Sequence, residues 1–280
     1  MSGSAGPDLA PIRGQPRALR SAGALRAGSL PPRQHLQTRA GALEYVLSGE
    51  GPAIVLLNGA GVTLEGWRAL YPGIERIGTV FAWNRLGVIG SDQPQRVQNG
   101  AAVIASLREL MSYAGLQPPY VLVGHSLGGL YANLFARLHP QEVAGVLFLE
   151  ATHPDDHAVL RQHETQLGRA LSKVFSIPQW LFKPNLHSEI EGVGESAEEV
   201  ESAGPFPPIP VSVVTGGAAP PKWLMSPAAL EAKRAHQEAL ARLSPHGEQI
   251  VASRSGHFPQ VSEPDLVLDV LRKLVTRSQP

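Results

Sequence analysis

From residue 42 onward, short apolar runs alternate with longer segments of helical period. The predicted strands, most of them apolar throughout, are residues 43–47, 53–57, 79–83, 120–123, 145–149, 211–215 and 249–252. The main helices predicted between them are residues 98–114, 127–138, 227–243 and 264–275. Strands that are apolar on both faces and alternate with helices are typical of parallel sheets covered on both sides. The sequence therefore predicts an α/β fold built on a mostly parallel sheet.

The segment Gly124-His125-Ser126-Leu127-Gly128 lies directly between a predicted strand and a predicted helix. A serine on such a sharp turn exposes its hydroxyl oxygen, and glycines on either side avoid collisions in the tight backbone. The N-terminal amides and the dipole of the following helix favour negative charge that develops near the serine. This context predicts that Ser126 is a nucleophile.

With this motif the chain resembles the α/β-hydrolase family, in particular compact esterase, lipase, haloperoxidase and dehalogenase-like members that carry GHSxGG. The resemblance covers about residues 42–276. It implies an eight-stranded, mostly parallel sheet with helices on both faces, a small helical lid after the sixth strand, and triad members in the order Ser, acid, His. Dehalogenases and epoxide hydrolases of this fold use an aspartate nucleophile, so the serine at this position disfavours both activities.

A serine hydroxyl becomes a good nucleophile only when a neighbouring base accepts its proton. His257 follows the last predicted strand and precedes the last predicted helix, which is where the family carries its catalytic histidine. We therefore predict that His257 is the base. His125 is expected to support the site by packing or hydrogen bonding, and His153 is a weaker candidate for the base.

The carboxylate that would orient His257 is missing from its usual place. Many family members carry an aspartate after the strand that corresponds to residues 211–215, but residues 216–221 read GGAAPP. Glu150 ends the strand at 145–149, a position where some family members carry the acid. We predict Glu150 as the acid and keep Asp155 and Asp156 as alternatives, although helix capping would explain those two equally well.

An oxyanion hole needs two backbone amides directed at the carbonyl oxygen as it becomes an anion. Leu127, which follows the nucleophile, is expected to supply one. The turn Asn58-Gly59-Ala60-Gly61 follows the strand at 53–57, where the family has His-Gly-x, and that match assigns the second amide to Ala60. Residues 83–91 resemble the family's Asp-Arg-x-Gly-x-Gly-x-Ser turn with Asn84 in place of Asp, and we interpret this turn as structural.

Composition limits the partners that the chain can have. The 280 residues include 24 basic and 24 acidic side chains, so the charge balance gives no indication of nucleic-acid binding. The absence of cysteine excludes disulfides, thiolate metal ligands and a cysteine nucleophile. No apolar stretch approaches the ~20 residues of a membrane span. We expect a cytoplasmic protein with a small-molecule ester substrate and leave its oligomeric state open.

Two parts of the chain depart from the strand–helix alternation. Residues 1–39 are rich in Gly, Ala, Pro, Ser and Arg, so we predict a flexible N-terminal extension and leave a targeting role open. A catalytic domain is predicted at 40–280, with a lid at 151–209. That lid would contain a helix at 155–174, an apolar patch at 180–182 and an acidic stretch at 189–201. We expect the acidic stretch to be a solvated face or a mobile loop rather than a metal site.

These predictions converge on acyl transfer through an acyl-enzyme on Ser126, with no metal or organic cofactor. Carboxylic esters of small, apolar compounds are the expected substrates. Ester hydrolysis is the commonest activity among the acyl-transfer members of the family that the chain resembles, and it requires the fewest additional groups in the site. Thioester, lactone and C–C bond hydrolysis and perhydrolysis would use the same machinery and remain open. A hydrolase-like protein that binds a ligand without turnover is the alternative from another functional class. An acyl pocket could be lined by aromatic and aliphatic side chains, although core packing is the commoner role of such residues: Trp67, Trp180, Phe182, Trp223 and Leu224.

Overall fold

The computed structural model describes residues 29–156, 186–218 and 225–279, and the strands in these ranges form a single eight-stranded sheet. The strands are β1 (Gln34–Thr38), β2 (Gly41–Ser48), β3 (Ala53–Leu57), β4 (Thr79–Trp83), β5 (Tyr120–His125), β6 (Val143–Leu149), β7 (Val211–Gly216) and β8 (Gly247–Ala252). Their spatial order is β1-β2-β4-β3-β5-β6-β7-β8. The pairs β1–β2 and β2–β4 are antiparallel, and every other neighbouring pair is parallel. The predicted eight-stranded, mostly parallel sheet is confirmed.

Helices cover both faces of the sheet. In the described ranges they are α1 (Tyr71–Ile74), α2 (Gly100–Tyr113), α3 (Leu127–Leu138), α4 (Leu186–Glu191), α5 (Val193–Ser202), α6 (Pro227–Ala241), α7 (Pro259–Ser262) and α8 (Pro264–Arg277), with short 3₁₀ helices at Leu64–Trp67 and Pro140–Glu142. Apolar side chains of α2, α3, α5 and α6 contribute to one buried cluster, and those of α1 and α8 contribute to the other. The central strands are buried along almost their whole length, as expected for strands with helices on both sides.

The carboxyl ends of the parallel strands meet along one edge of the sheet. In open α/β sheets this edge is the usual place for ligands and catalytic groups. The turn after β3, Ser126 after β5, Glu150 after β6 and the loop after β8 that carries His257 all lie there. The fold therefore brings together residues that lie far apart in the sequence.

Strand β1 lies within residues 1–39, the range predicted to be an extension. Its five residues, QHLQT, pair in antiparallel register with β2 from Gln34↔Tyr45 to Thr38↔Gly41. The sheet therefore begins before the predicted boundary at residue 40. Leu36 is the one apolar residue of this strand, so there was no apolar run to detect. An edge strand is paired on one side only and buries little of its surface.

The acidic stretch at 189–201 was expected to be a solvated face or a mobile loop, but the structure shows a partly buried helical segment. It belongs to helices α4 and α5, which meet at Gly192. Some of its carboxylates are exposed, as predicted, but Glu189 is only 2% exposed and Val193, Ala197 and Val200 are buried. The residues after 156 in the predicted helix at 155–174, and the patch at 180–182, lie outside the described residues. Within the described part of the chain, no helix has the length and apolar character needed to cross a membrane.

Candidate active site

Ser126 occupies a strained turn between β5 and α3. Its φ is 51° and its ψ is −123°, a conformation that is unfavourable for a residue with a side chain. The flanking glycines make the turn possible. A Cβ on Gly124 would lie 2.6 Å from the carbonyl oxygen of Gly128, and a Cβ on Gly128 would lie 2.1 Å from the carbonyl oxygen of Leu57. The predicted steric reason for both glycines is therefore confirmed.

His257 reaches Ser126 from the loop after β8. Its Nε2 lies 3.1 Å from Ser126 Oγ, so the hydroxyl can donate its hydrogen bond to the imidazole. The buried His125 ring lies behind it, and His125 Nε2 is 2.8 Å from the backbone carbonyl oxygen of His257. Burial first, and the neighbouring His257 second, lower the pKa of His125 to about 3. His125 is therefore neutral at physiological pH and can donate Nε2–H to that carbonyl.

Glu150 approaches the other side of the His257 ring. Glu150 Oε2 lies 3.5 Å from His257 Nδ1, a long contact of the kind that shortens in a complex with substrate. The second carboxylate oxygen, Oε1, accepts a 2.6 Å hydrogen bond from the amide of Gly216 at the end of β7. Strand β7 lies next to β6, so Glu150 contacts the strand end that would usually carry the acid. Neighbouring strands are ~4.8 Å apart, and the extra methylene of Glu relative to Asp helps to cover that distance.

Lys233 of α6 shares the Glu150 carboxylate with His257. Its ammonium group donates to Glu150 Oε2, and the Glu150 side chain is almost completely buried. Burial alone would raise the pKa of Glu150. The hydrogen bond from His257 and the charge of Lys233 outweigh burial and bring the pKa to about 2. Glu150 is therefore a carboxylate at neutral pH.

Ser126 and Glu150 also share an unusual backbone conformation. Among the described residues, they are the two non-glycine residues with positive φ, 51° for Ser126 and 45° for Glu150. The Ser126 amide donates to Leu149 O, the Ser126 carbonyl accepts from Thr152 N, and the Glu150 amide donates to Val214 O. Such strain persists only where surrounding bonds impose it, and it clusters at functional sites.

The turn at residues 58–61 lies directly beside Ser126. A Cβ on Gly59 would lie 3.2 Å from Ser126 Cβ and 3.0 Å from His125 Nδ1, so the absence of a side chain permits this close approach. Ala60, the predicted second donor, follows Gly59 in this turn. Leu127, the predicted first donor, is the first residue of α3 and is buried. Leu127 thus follows Ser126 directly in the chain, and Ala60 follows the glycine that lies close to Ser126.

The residues that depart from the family pattern in this region have structural contacts. Asn84 donates to Glu44 Oε2 at 2.5 Å and accepts from the Leu64 amide at 2.7 Å, which supports a structural interpretation of the turn at 83–91. Asn58 donates a weak 3.4 Å hydrogen bond to Trp83 O, while its Oδ1 is buried without a partner among the described residues. Arg85 and Glu189, which the sequence analysis did not assign to the site, contact the turn at 58–61 directly.

The alternative acids have other partners. Asp156 accepts hydrogen bonds from His153 N at 2.8 Å and lies 2.5 Å from His236 Nδ1, and Asp155 is largely exposed. Among the described residues, His153, Asp155 and His236 form a group that could hold a metal ion, since their ligand atoms lie within 4.8 Å of one another. However, the two imidazole rings stack at 4.8 Å, and His153 Nδ1 accepts from the Asp155 amide. The group is therefore held together by hydrogen bonds and stacking of its own.

Sequence reasoning missed Lys233, Arg85 and Glu189. Lys233 lies on an amphipathic helix, where a lysine is ordinarily solvated, and Glu189 lies in a strongly acidic segment. The sequence does hold a signal for Arg85, because this residue belongs to the recognisable turn at 83–91 at the carboxyl end of β4. Of the suggested pocket residues, Trp67 is buried in the core cluster with α1 and α8. The other four, at 180, 182, 223 and 224, lie outside the described residues.

Comparison with known proteins finds a family match and several relatives. The sequence profile described as "Alpha/beta hydrolase family" matches residues 54–270. An uncharacterized protein of Mycobacterium tuberculosis is 25% identical over 84% of this chain and 79% of its own length. A pimeloyl-[acyl-carrier protein] methyl ester esterase of Xanthomonas oryzae is 27% identical over 81% of this chain and 96% of its own length.

Solved structures show the same fold. A thermophilic esterase from Thermogutta terrifontis has a TM-score of 0.65 and 21% identity, covering 89% of this chain and 100% of its own. An enol-lactonase from Burkholderia xenovorans has a TM-score of 0.65 and 18% identity, covering 87% of this chain and 100% of its own. At these identities the likeness concerns the fold.

Proposed function

The chain belongs to the alpha/beta hydrolase family, and we propose that it is a serine hydrolase that cleaves carboxylic ester bonds of small, apolar substrates. The observation that carries the proposal is the chain of contacts from Ser126 Oγ to His257 Nε2 at 3.1 Å and from His257 Nδ1 to Glu150 Oε2 at 3.5 Å. A nucleophile, a base and an orienting acid stand in the order that acyl transfer requires. The partly buried ring of Phe258, whose centroid lies 5.2 Å from that of His257, favours an apolar substrate.

In the proposed mechanism, Ser126 Oγ attacks the ester carbonyl carbon while its proton passes to His257 Nε2. The carbonyl oxygen becomes an anion and accepts hydrogen bonds from the amides of Ala60 and Leu127. When the tetrahedral intermediate collapses, the bond to the leaving alkoxide breaks and His257 returns the proton to that oxygen. The products of this half-reaction are an alcohol and an acyl ester on Ser126.

Water completes the cycle. His257 takes a proton from the water as the water oxygen attacks the acyl carbon, and then gives that proton to Ser126 Oγ as the carboxylic acid leaves. Glu150 remains ionised throughout, because its pKa is about 2. Its role is to hold the imidazole with Nδ1–H toward the carboxylate and to stabilise the imidazolium that forms in each half-reaction.

A panel of p-nitrophenyl esters of increasing acyl length tests this function. We expect the wild type to hydrolyse short or medium chains and the Ser126→Ala variant to show no hydrolysis above the buffer. A panel without Ser126-dependent hydrolysis would contradict the ester assignment. The same two proteins assayed on a thioester and on a lactone would then identify which acyl bond, if any, the site accepts.

A further inference from the structure

A buried ion pair lies against the turn at residues 58–61. Arg85 Nε lies 2.5 Å from Glu189 Oε1, and the two side chains are only 4% and 2% exposed. Arg85 stands after β4, whereas Glu189 belongs to α4, in the segment between β6 and β7. Although burial works to lower the pKa of Arg85, the neighbouring Glu189 carboxylate raises it above its ordinary value. The Arg85 guanidinium is therefore charged.

The pair holds three backbone groups of the turn. Arg85 donates from one terminal nitrogen to Asn58 O and from the other to Gly59 O, each at 2.7 Å. Glu189 Oε2 accepts a 2.6 Å hydrogen bond from the amide of Gly61. These bonds lie on both sides of Ala60. Hydrogen bonds to charged groups are shorter and stronger than neutral ones, and the fork of Arg fixes direction as well as distance.

One of these bonds acts on the peptide unit that contains the proposed oxyanion donor. The carbonyl of Gly59 and the N–H of Ala60 belong to the same peptide, which is planar and trans. In such a unit the two groups point in opposite directions. When Arg85 fixes the direction of the carbonyl, it also fixes the direction of the N–H. Donation by a guanidinium further polarises the peptide and makes its N–H a stronger donor.

We propose that Arg85 and Glu189 are positioning residues that hold the Ala60 N–H toward the developing oxyanion. The inference rests on the proposed function, because it assigns the two charges to transition-state stabilisation. It also makes α4 part of the catalytic arrangement, since Glu189 joins that helix to the turn at 58–61. Neither side chain is required to touch the substrate.

The energetics of buried charges favour this role over a purely stabilising one. Two charges removed from water repay their desolvation only with near-ideal geometry, and a well-packed apolar pair is often as stable. Removing one partner leaves the other charge uncompensated, which is strongly destabilising. The double variant Arg85→Met/Glu189→Leu removes both charges together, so it can keep the fold while abolishing the hydrogen bonds to the turn. It therefore separates positioning from stability.

The experiment compares wild type, the double variant, the charge-conserving single variant Arg85→Lys and the control Arg108→Met. Arg108 also forms an ion pair, with Glu142, but on α2 and away from the turn. Measurements are kcat and KM on a p-nitrophenyl ester, the inhibition constant of an alkyl trifluoromethyl ketone, and the urea midpoint of unfolding. The ketone forms an oxyanion adduct on serine, so its affinity reports on the oxyanion donors.

We expect the double variant to unfold near the wild-type midpoint, to lose on the order of 100-fold in kcat with little change in KM, and to bind the ketone correspondingly more weakly. Arg85→Lys should lose about 10-fold in kcat, because its ammonium group balances Glu189 but cannot reproduce the planar fork that bonds both carbonyls. Arg108→Met should match wild type in kcat and ketone affinity.

Wild-type kcat and ketone affinity in a folded double variant would overturn the inference and leave the proposed function intact. If the double variant does not fold, Arg85→Lys takes its place, since it keeps a positive charge beside Glu189 but lacks the fork that bonds both carbonyls. An unchanged ketone affinity in folded Arg85→Lys would likewise overturn the inference. A wild type that neither hydrolyses esters nor binds the ketone would overturn the proposed function, and the inference would fall with it.

Discussion

At the residue scale, the carboxylate of Glu150 is shared among three donors: His257, Lys233 and the amide of Gly216. This arrangement suits an acid located on β6 instead of β7. The amide fixes one oxygen, His257 and the lysine keep the group ionised, and the other oxygen lies 3.5 Å from His257 Nδ1. The usual position after β7 needs no carboxylate, because Gly216 at that strand end already contacts the acid.

The variant Glu150→Gln tests this assignment. An amide keeps the shape but cannot balance the imidazolium, and it can favour the wrong tautomer of His257, so we expect kcat to fall by ~10⁴ with a small change in KM. The matched variants Asp155→Asn and Asp156→Asn should stay within a few-fold of wild type. Steady-state kinetics on one ester would measure all three, and loss of activity in an Asp variant with near-normal Glu150→Gln would move the acid to that position.

The buried neutral His125 predicts how stability depends on pH. Its pKa is about 3 in the folded protein and 6.5 when exposed, so the unfolded chain binds one more proton between those values. The full contribution of the neutral His125 to the free energy of unfolding is therefore present above pH 6.5. It is lost as the pH drops toward 3, by up to about 1.4 kcal/mol per pH unit.

Urea unfolding of wild type and His125→Gln at several pH values between 7 and 4 would measure this contribution. The variant has no proton to take up at this site, so its free energy of unfolding should fall less steeply. If the free energy of unfolding changed with pH by the same slope in both proteins, His125 would not be the cause of the pH dependence.

At the scale of elements, the N-terminal end of α3 lies directly on the end of β3. A Cβ on Gly128 would lie 2.1 Å from Leu57 O and 2.6 Å from Asn58 O. The same contact brings Ser126 close to the turn at 58–61. The distance between the proposed nucleophile and the proposed Ala60 donor therefore depends on a glycine at this position.

We expect Gly128→Ala to destabilise the protein by roughly 1–3 kcal/mol, since the added methyl group forces the helix and the strand end apart. It should also lower kcat, because the same displacement moves Ser126 away from the turn at residues 58–61. Gly204→Ala is the control, as nothing lies within 4 Å of a Cβ there. Urea unfolding measures both variants, and equal midpoints would contradict the steric account.

Most elements could be predicted from the sequence because their physical cause is local. Most of the buried strands are apolar along their length, and the helix at Leu127–Leu138 was predicted with the observed bounds. Strand β1 escaped prediction because its residues are mostly polar and exposed. The ion pair between Arg85 and Glu189 escaped because it joins residues 104 positions apart, and only the fold shows that both are buried. Ser126, His257 and Glu150 were found as candidates because each follows a recognisable strand.

At the scale of the whole molecule, the sheet extends from the antiparallel edge strand β1 to β8, and the site lies near its centre. Strand β1 is tied to the sheet by five register pairs with β2 and by the ion pair of Arg33 with Glu44. Glu44 in turn accepts from Asn84, just before Arg85. The edge of the sheet thus contributes to the order of the turn at 83–91.

Two truncations test this contribution. A protein that begins at residue 41 lacks β1, and we expect it to be less stable than wild type by roughly 1–5 kcal/mol, given ~0.2–1 kcal/mol for each cross-strand pair. A protein that begins at residue 29 retains β1 and should keep the wild-type urea midpoint and ester hydrolysis. If the shorter protein matched the longer one in both measurements, β1 would not be part of the cooperative fold.

The central claim is that Ser126 is a nucleophile activated by His257. Incubation with a fluorophosphonate, followed by intact mass and peptide mass spectrometry, tests it directly because the reagent bonds covalently to an activated serine. We predict one adduct per wild-type chain, located at Ser126, none in Ser126→Ala and much slower labelling in His257→Gln. A folded wild type that remains unlabelled, or that carries its adduct elsewhere, would contradict the account.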